Sequence, residues 1–106
     1  MKITKIEDGF VVMSDEAFTG RRLYASPGAT VIHMTVRPGK AIEPHAADVD
    51  MEFYVLEGKG LFTVGPESAE AGPGELVESP KGVAHGIRNE GTGELRVLAI
   101  KNGALS

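Results

Sequence analysis

Apolar and polar residues alternate along much of this chain. In residues 32–37, IHMTVR, an apolar side chain occupies every second position, which is typical of a β-strand with one face against a core. No segment repeats its apolar residues at the helical period of about 3.6. Only residues 14–20, SDEAFTG, predict a single helical turn, with Ser14 as its N-cap. The pattern therefore predicts an all-β fold.

Glycine and proline separate the alternating runs into short strands. The Pro-Gly pairs at 27–28, 38–39 and 73–74 predict type II turns, because proline fixes φ at the first central position and glycine tolerates positive φ at the second. Residues 58–59, Gly-Lys, predict a two-residue hairpin turn. The strands predicted between the turns are Lys2–Ile6, Phe10–Ser14, Arg22–Ala25, Thr30–Arg37, Lys40–His45, Met51–Leu56, Leu61–Val64, Glu75–Ser79, Ala84–Arg88 and Leu95–Lys101.

Short strands at near-regular spacing favour a β-sandwich or a β-barrel. A chain of 106 residues suffices for one hydrophobic core, so we expect a single domain over residues 1–106. The content of hydrophobic residues, 42%, and of charged residues, 25%, is ordinary for a soluble globular chain.

The charge and cysteine content exclude several classes of function. A net charge of −4 argues against nucleic acid or an anionic membrane as the main partner, because no basic surplus is there to pair with phosphates. The chain has no cysteine, which excludes disulfide and thiolate chemistry. The N-terminal residues MKITKIEDGF lack the apolar stretch of a signal peptide, and no run has the length of a membrane-spanning helix. We therefore expect a cytoplasmic protein.

One stretch follows a specific spacing. Residues 74–89, GELVESPKGVAHGIRN, have the form G-x5-P-x-G-x2-H-x3-N, with His85 as the histidine and Asn89 as the asparagine. This stretch resembles the second conserved motif of the cupin superfamily at every specified position. The resemblance implies a double-stranded β-helix, a jelly-roll barrel that is usually dimeric and often holds a divalent transition metal. It also implies that His85 points into the barrel.

A second stretch resembles the first cupin motif, G-x5-H-x-H-x3,4-E-x6-G, but only in part. Gly39, His45 and Gly58 match the motif, whereas Ala47 occupies the place of its second histidine. Alanine has no atom that can bind a metal. The two glycines and the first histidine of the motif are therefore present at the expected spacing, and its second histidine is missing.

The place of the motif's glutamate falls on either Met51 or Glu52, depending on the count. The resemblance implies a metal site of three histidines and one glutamate, for which this chain supplies His45, His85 and, as the candidate carboxylate, Glu52. Strand parity opposes Glu52, because Met51 and Phe53 share one face of their strand and Glu52 lies on the other unless a bulge reverses it. Methionine sulfur is a soft, neutral ligand that favours Cu(I).

Other residues stay open as parts of the site. His33 is a candidate third nitrogen if its strand turns it inward, and Asp48 and Asp50 are candidate carboxylates in the loop before Met51. Besides these ligands, we expect the pocket to be lined by Met51, Phe53 and Asn89.

Three functions are compatible with this sequence. The first is a metal-dependent enzyme acting on a small molecule by dioxygenation, isomerisation or decarboxylation. The second is a metal-independent binding module for a sugar or an organic acid, with His45, His85 and either Arg88 or Asn89 as polar anchors. The third is an accessory module whose N-terminal strands pair with a second subunit, and a homodimer is expected in each case.

Overall fold

The computed structural model describes residues 1–104 and confirms the all-β prediction. Within this range no helix has the length and apolar content needed to cross a bilayer. A single 3₁₀ turn at Ile6–Asp8 precedes the strands. The strands are β1 (Phe10–Ser14), β2 (Phe18–Ala25), β3 (Thr30–Val36), β4 (Ala41–His45), β5 (Met51–Glu57), β6 (Gly60–Val64), β7 (Glu67–Ala71), β8 (Leu76–Ser79), β9 (His85–Arg88) and β10 (Leu95–Lys101).

The strands form two antiparallel sheets that face each other as a jelly-roll barrel. The larger sheet has the order β1-β2-β3-β10-β5-β8, and the smaller one has the order β4-β9-β6-β7. Strands that are distant in the sequence lie side by side, as β10 does between β3 and β5. The core between the sheets consists of Met34, Val36, Ile42, Met51, Phe53, Val55, Phe62, Ala71, Ile87, Leu95, Val97 and Ala99.

Strand β5 follows the predicted alternation without a bulge at its start. Met51, Phe53 and Val55 are buried on its inner face. Glu52 and Tyr54 lie on its outer face, where Glu52 is half-buried and Tyr54 exposed. The parity argument from the sequence therefore holds for this strand.

Two of the three predicted Pro-Gly turns adopt the expected backbone. Gly39 and Gly74 have φ of 75° and 86°, as a type II turn requires. Gly28 is not among the glycines with positive φ. The prediction for residues 27–28 was wrong, because the Ser26 hydroxyl closes that turn by accepting the backbone N–H groups of Gly28 and Ala29.

Two other local predictions fail, and one strand was not predicted, each for an identifiable reason. Residues 2–6 form no strand, since they are largely exposed and no strand pairs with them. The helical turn after Ser14 is absent, because the Asp15 carboxylate accepts the backbone N–H groups of Ala17 and Phe18 and closes the turn between β1 and β2. Strand β7 was missed because four of its five residues are exposed and carry no alternation.

Asn89 is a structural residue of the barrel. Its side chain is 1% exposed and donates to the carbonyl oxygens of Val36 at 2.9 Å and Gly93 at 2.8 Å. Its Oδ1 atom accepts the backbone N–H of Gly91 at 3.0 Å. Asn89 therefore ties β3 to the turn between β9 and β10.

Replacing Asn89 by alanine should destabilise the fold by about 2–3 kcal/mol, because the change leaves buried backbone groups without partners. The measurement is the free energy of unfolding in a denaturant titration. Asn102→Ala is the matched control, since Asn102 is exposed and also bonds through its side chain amide. We expect a loss below about 1 kcal/mol for the control. Equal losses for the two variants would contradict the role given to Asn89.

Candidate ligand-binding site

The two histidines of the cupin-like motifs meet on neighbouring strands. His45 ends β4 and His85 begins β9, and the two residues lie opposite each other in the antiparallel register. Their ring centroids are 4.7 Å apart, with the ring planes at 66°. The structure therefore brings together the two residues expected from the sequence.

A bulge in β4 produces this alignment. Between the pair Ile42–Ile87 and the pair His45–His85, β4 has one residue more than β9. Pro44 lies in the bulge and packs closely against Gly86, where an added Cβ would approach Pro44 to 3.0 Å. A glycine at position 86 thus permits the close approach that places His45 over His85.

His85 is buried in a largely apolar environment. It is 3% exposed, and its ring packs edge-on against Phe53 with the centroids 5.0 Å apart. Its Nδ1 atom lies 2.9 Å from the hydroxyl oxygen of Ser79. Its Nε2 atom is buried and has no hydrogen-bond partner within residues 1–104. A buried polar atom without a partner is unusual and requires an explanation.

The burial of His85 affects its protonation. Loss of hydration and, as the smaller cause, the nearby His45 together lower the pKa of His85 from 6.5 to about 4. His85 is therefore a neutral imidazole at neutral pH. His45 is exposed, and its Nδ1 atom lies 3.3 Å from the carbonyl oxygen of Glu43.

A cavity of about 480 Å³ opens beside the two histidines. This volume is suited to one small molecule. The polar side chains on its wall are His45, His85, Asp48 and Lys101. The apolar wall consists of Val12, Met13, Phe18, Ile32, Met34, Ile42, Ala46, Ala47, Met51, Phe53, Ile87 and Ala99.

Of the residues expected to line the pocket, Met51 and Phe53 do so. Asn89 does not belong to this cavity and is engaged in the structural bonds described above. Asp50 is likewise committed elsewhere, because its carboxylate accepts the backbone N–H of Lys81 at 2.8 Å. Asp48 lines the cavity and is exposed.

The structure does not bring Glu52 to the histidines. Its carboxylate lies on the outer face of β5 and accepts the Asn102 side chain amide at 3.1 and 2.8 Å. His33 is also directed away from the cavity, on the face of β3 opposite Met34. Its Nε2 atom accepts the Arg96 Nε–H at 3.2 Å, and burial lowers its pKa. Neither residue is a third ligand in this arrangement.

Two features of the site were not predicted from the sequence. Ser79, which contacts His85, had no assigned role, although it directly precedes Pro80 of the recognised motif. Met13 and Met34 join Met51 on the cavity wall. The inward position of Met34 was implicit in the alternation of residues 32–37, whereas Met13 lines the cavity from an exposed position beside a bulge in β1 that the alternation does not indicate.

The comparisons with known proteins identify the class to which this chain belongs. A sequence model described as a cupin domain matches residues 32–101. Because this match covers more than half of the chain, the protein belongs to the cupin family. A search among curated proteins found no significant match.

Solved structures share the whole barrel. TT1209 from Thermus thermophilus is 26% identical with a TM-score of 0.84, over 97% of this chain and 98% of that one. The polyketide cyclase RemF from Streptomyces resistomycificus is 25% identical with a TM-score of 0.80, over 100% of this chain and 87% of RemF. A predicted oxalate decarboxylase from Thermotoga maritima, at 18% identity, has a TM-score of 0.84 over 98% of this chain and 100% of that one, which shows the fold alone.

The divalent metal that the family often holds does not fit the donor set present here. Within residues 1–104, no group of three or more histidine, cysteine, aspartate or glutamate side chains is arranged to hold a metal ion. His45 and His85 contribute two nitrogens, while Ala47 and Met51 stand where the motif has a histidine and a carboxylate. The usual set of three nitrogens and one oxygen is therefore incomplete.

The low pKa of His85 predicts a specific pH dependence of stability. Between pH 6.5 and about 4 the unfolded chain binds a proton at His85 that the folded chain does not. Stability is therefore full above pH 6.5 and falls as the pH decreases, by roughly 3 kcal/mol for this residue. Denaturant titrations from pH 7 to pH 4 should show a smaller decrease for His85→Gln than for the unmodified protein.

The comparison between the two proteins removes the contributions of the carboxylates and of His33, which both share. Proton NMR checks the assignment directly, since the His85 ring should titrate near pH 4. Titration of this ring near pH 6.5, or equal pH profiles for the two proteins, would contradict the burial argument.

Proposed function

We propose that this cupin binds a small, mainly apolar molecule in the cavity, with His85 and His45 contacting the polar end of that molecule. The observation that carries the proposal is the buried Nε2 atom of His85, which has no partner in the described residues and belongs to a side chain that lines a cavity of about 480 Å³. An unpaired buried polar group costs about 1–3 kcal/mol. A ligand group that accepts a hydrogen bond from Nε2–H, while Nδ1 accepts the Ser79 hydroxyl, would recover this free energy.

The lining of the cavity supports an organic molecule with few polar groups. A sugar would place most of its hydroxyls against apolar side chains, where unpaired polar groups are unfavourable. An organic acid with an apolar body matches the wall better, because it has one polar end for the histidines. The similarity to RemF, which is named as a polyketide cyclase, also supports a small organic ligand.

A divalent metal held by His45 and His85 is the second candidate. The unpaired Nε2 atom of His85 favours it as well, since imidazole nitrogen binds Zn, Cu, Fe and Ni. In this second candidate Glu52 is the third ligand of the metal. Its carboxylate would then have to break its hydrogen bonds with Asn102 and move to the inner face of β5. The first candidate needs no such rearrangement.

A cavity-filling variant tests the first candidate and separates it from the second. Chelator-treated protein should bind members of a panel of aromatic and aliphatic carboxylic acids, as measured by ligand-observed NMR. Ala47→Phe should weaken this binding by about tenfold or more, because the added ring occupies the cavity. Ala69→Phe, on an exposed position of β7, is the control and should leave binding unchanged.

Binding that appears only after addition of Zn²⁺ or Mn²⁺ would replace the first candidate by the second. Equal binding by Ala47→Phe and the unmodified protein would place the ligand outside the cavity. The absence of binding with and without metal ions would reject both candidates.

We also propose that two copies of the chain associate through β1. This strand is an edge of the larger sheet, and Phe10, Val11 and Met13 on it are 64%, 42% and 46% exposed. An exposed apolar edge strand favours pairing with another strand, which removes both the unpaired backbone groups and the apolar surface from water. A second copy provides an identical edge for such pairing.

A lysine on β1 should dissociate this dimer. Sedimentation velocity should give a dimer for the unmodified protein and a monomer for Val11→Lys, because the charge would be buried between the strands. Ser68→Lys is the matched control on β7, the edge strand of the smaller sheet, and should remain dimeric. A monomeric unmodified protein would reject the proposal, and dissociation by Ser68→Lys alone would move the interface to β7.

A further inference from the structure

Three of the four methionines in the chain line the cavity beside the histidines. They are Met13, Met34 and Met51, and the last two are both 9% exposed. Methionine fills irregular gaps in protein cores, so its presence on a wall needs no ligand. Met51, however, is also the cross-strand partner of Ser79, the residue that contacts His85.

We propose that His45, His85 and Met51 form a binding site for a soft monovalent metal ion, Cu(I). Thioether sulfur selects Cu(I), and imidazole nitrogen is compatible with it. Two nitrogens and one sulfur are a sufficient set for this ion, whereas the divalent site of the motif calls for two further ligands that the described part of this chain does not provide.

The first donor is the Nε2 atom of His85. This atom is buried without a partner in the described residues, on a side chain that is 3% exposed and lines the cavity. When Nδ1–H donates to the Ser79 hydroxyl, 2.9 Å away, the lone pair of Nε2 is available to a ligand. A hydrogen bond to the other ring nitrogen is the usual way in which proteins orient a metal-binding histidine.

The strand register places Met51 next to this arrangement. Met51 on β5 is the cross-strand partner of Ser79 on β8, the residue that bonds His85. Its side chain lies on the inner face and lines the same cavity as the two histidines. The thioether and the free nitrogen of His85 therefore belong to one end of the barrel, at the level of the Met51–Ser79 pair.

His45 supplies the second nitrogen. Its ring stands 4.7 Å from that of His85, centroid to centroid, on the neighbouring strand. Because His45 is exposed at the mouth of the cavity, its ring can adjust without loss of core packing. It is also the donor that an ion meets first on entering from solvent.

The apolar wall favours a monovalent ion over a divalent one. The cost of moving an ion out of water rises with the square of its charge, and within residues 1–104 no carboxylate joins the two histidines to neutralise a divalent ion. A neutral donor set in an apolar cavity stabilises a single positive charge with the smaller penalty. The ion and the small molecule proposed above would both use the Nε2 atom of His85 and would compete for it, but neither proposal requires the other to hold.

Anaerobic titration of the protein with Cu(I) against a competing Cu(I) chelator tests the site. We expect one ion per chain at neutral pH, and X-ray absorption at the copper edge should show nitrogen scatterers together with one sulfur. Met51→Leu should remove the sulfur scatterer and weaken Cu(I) binding by about tenfold or more. Loss of a residue that only hydrogen-bonds a metal ligand already lowers metal affinity by about tenfold, and loss of a ligand itself should cost at least as much.

Met34→Leu is the matched control, because Met34 is equally buried and lines the same cavity. It should keep the sulfur scatterer and the affinity, and His85→Gln should abolish binding. Circular dichroism and thermal unfolding of each variant establish that it is folded. Failure to bind Cu(I), binding without a sulfur scatterer, or loss of sulfur in Met34→Leu instead of Met51→Leu would each overturn the assignment. The binding of carboxylic acids is measured on metal-free protein, so failure of one proposal is distinguishable from failure of the other.

Discussion

The two-residue period of β5 determines which side chains reach the cavity. This strand pairs with β10 on one side and with β8 on the other. A shift of its pairing register by one residue would move every side chain to the opposite face of the sheet. Phe53 and Val55 are buried in the core, and shifting the register to bring Glu52 inward would expose them. The packing of the core thus determines which side chain of β5 faces the cavity beside the histidines. This side chain is that of Met51, where a carboxylate would complete a metal site.

The burial of His85 is unfavourable for the fold by itself. The ring loses hydration, it is kept neutral, and one of its nitrogens is left without a partner in the described residues. Burial against Phe53 and the contact with Ser79 offset this cost only in part, since they leave Nε2 unpaired. Apolar residues of similar volume would fill the same space without the penalty. A position of this kind is more often explained by function than by stability, because functional sites are where proteins accept such strain.

The fold followed from local information wherever a strand has one buried face. Strand β10 has the bounds predicted from the sequence, and its buried residues alternate with partly buried ones. Strand β1 also has the predicted bounds, although none of its residues is buried. Strand β7 escaped prediction because it has a single buried residue and owes its conformation to pairing with β6. The N-terminal residues 2–6 illustrate the reverse case, since the sequence predicts a strand there and no strand pairs with them within the described chain. The two histidines of the candidate site were predictable from the sequence, whereas the position of Glu52 relative to them was left open, for a similar reason. The partner of Glu52 is Asn102, which is fifty residues away and becomes its neighbour only through the pairing of β5 with β10.

The apolar character of the cavity and its soft donors have a common origin. Met51 contributes to the core through its burial and, in the proposed copper site, to metal binding through its sulfur, and no charged group is needed for either. A glutamate in its place would provide a hard ligand, but without a metal its charge would be buried against Phe53 and His85 at a large cost. Methionine avoids this dependence, because it adds no charge to the buried wall when no ion is bound. A site built from neutral donors therefore leaves no unpaired buried carboxylate in the metal-free barrel, whereas a glutamate at position 51 would leave one.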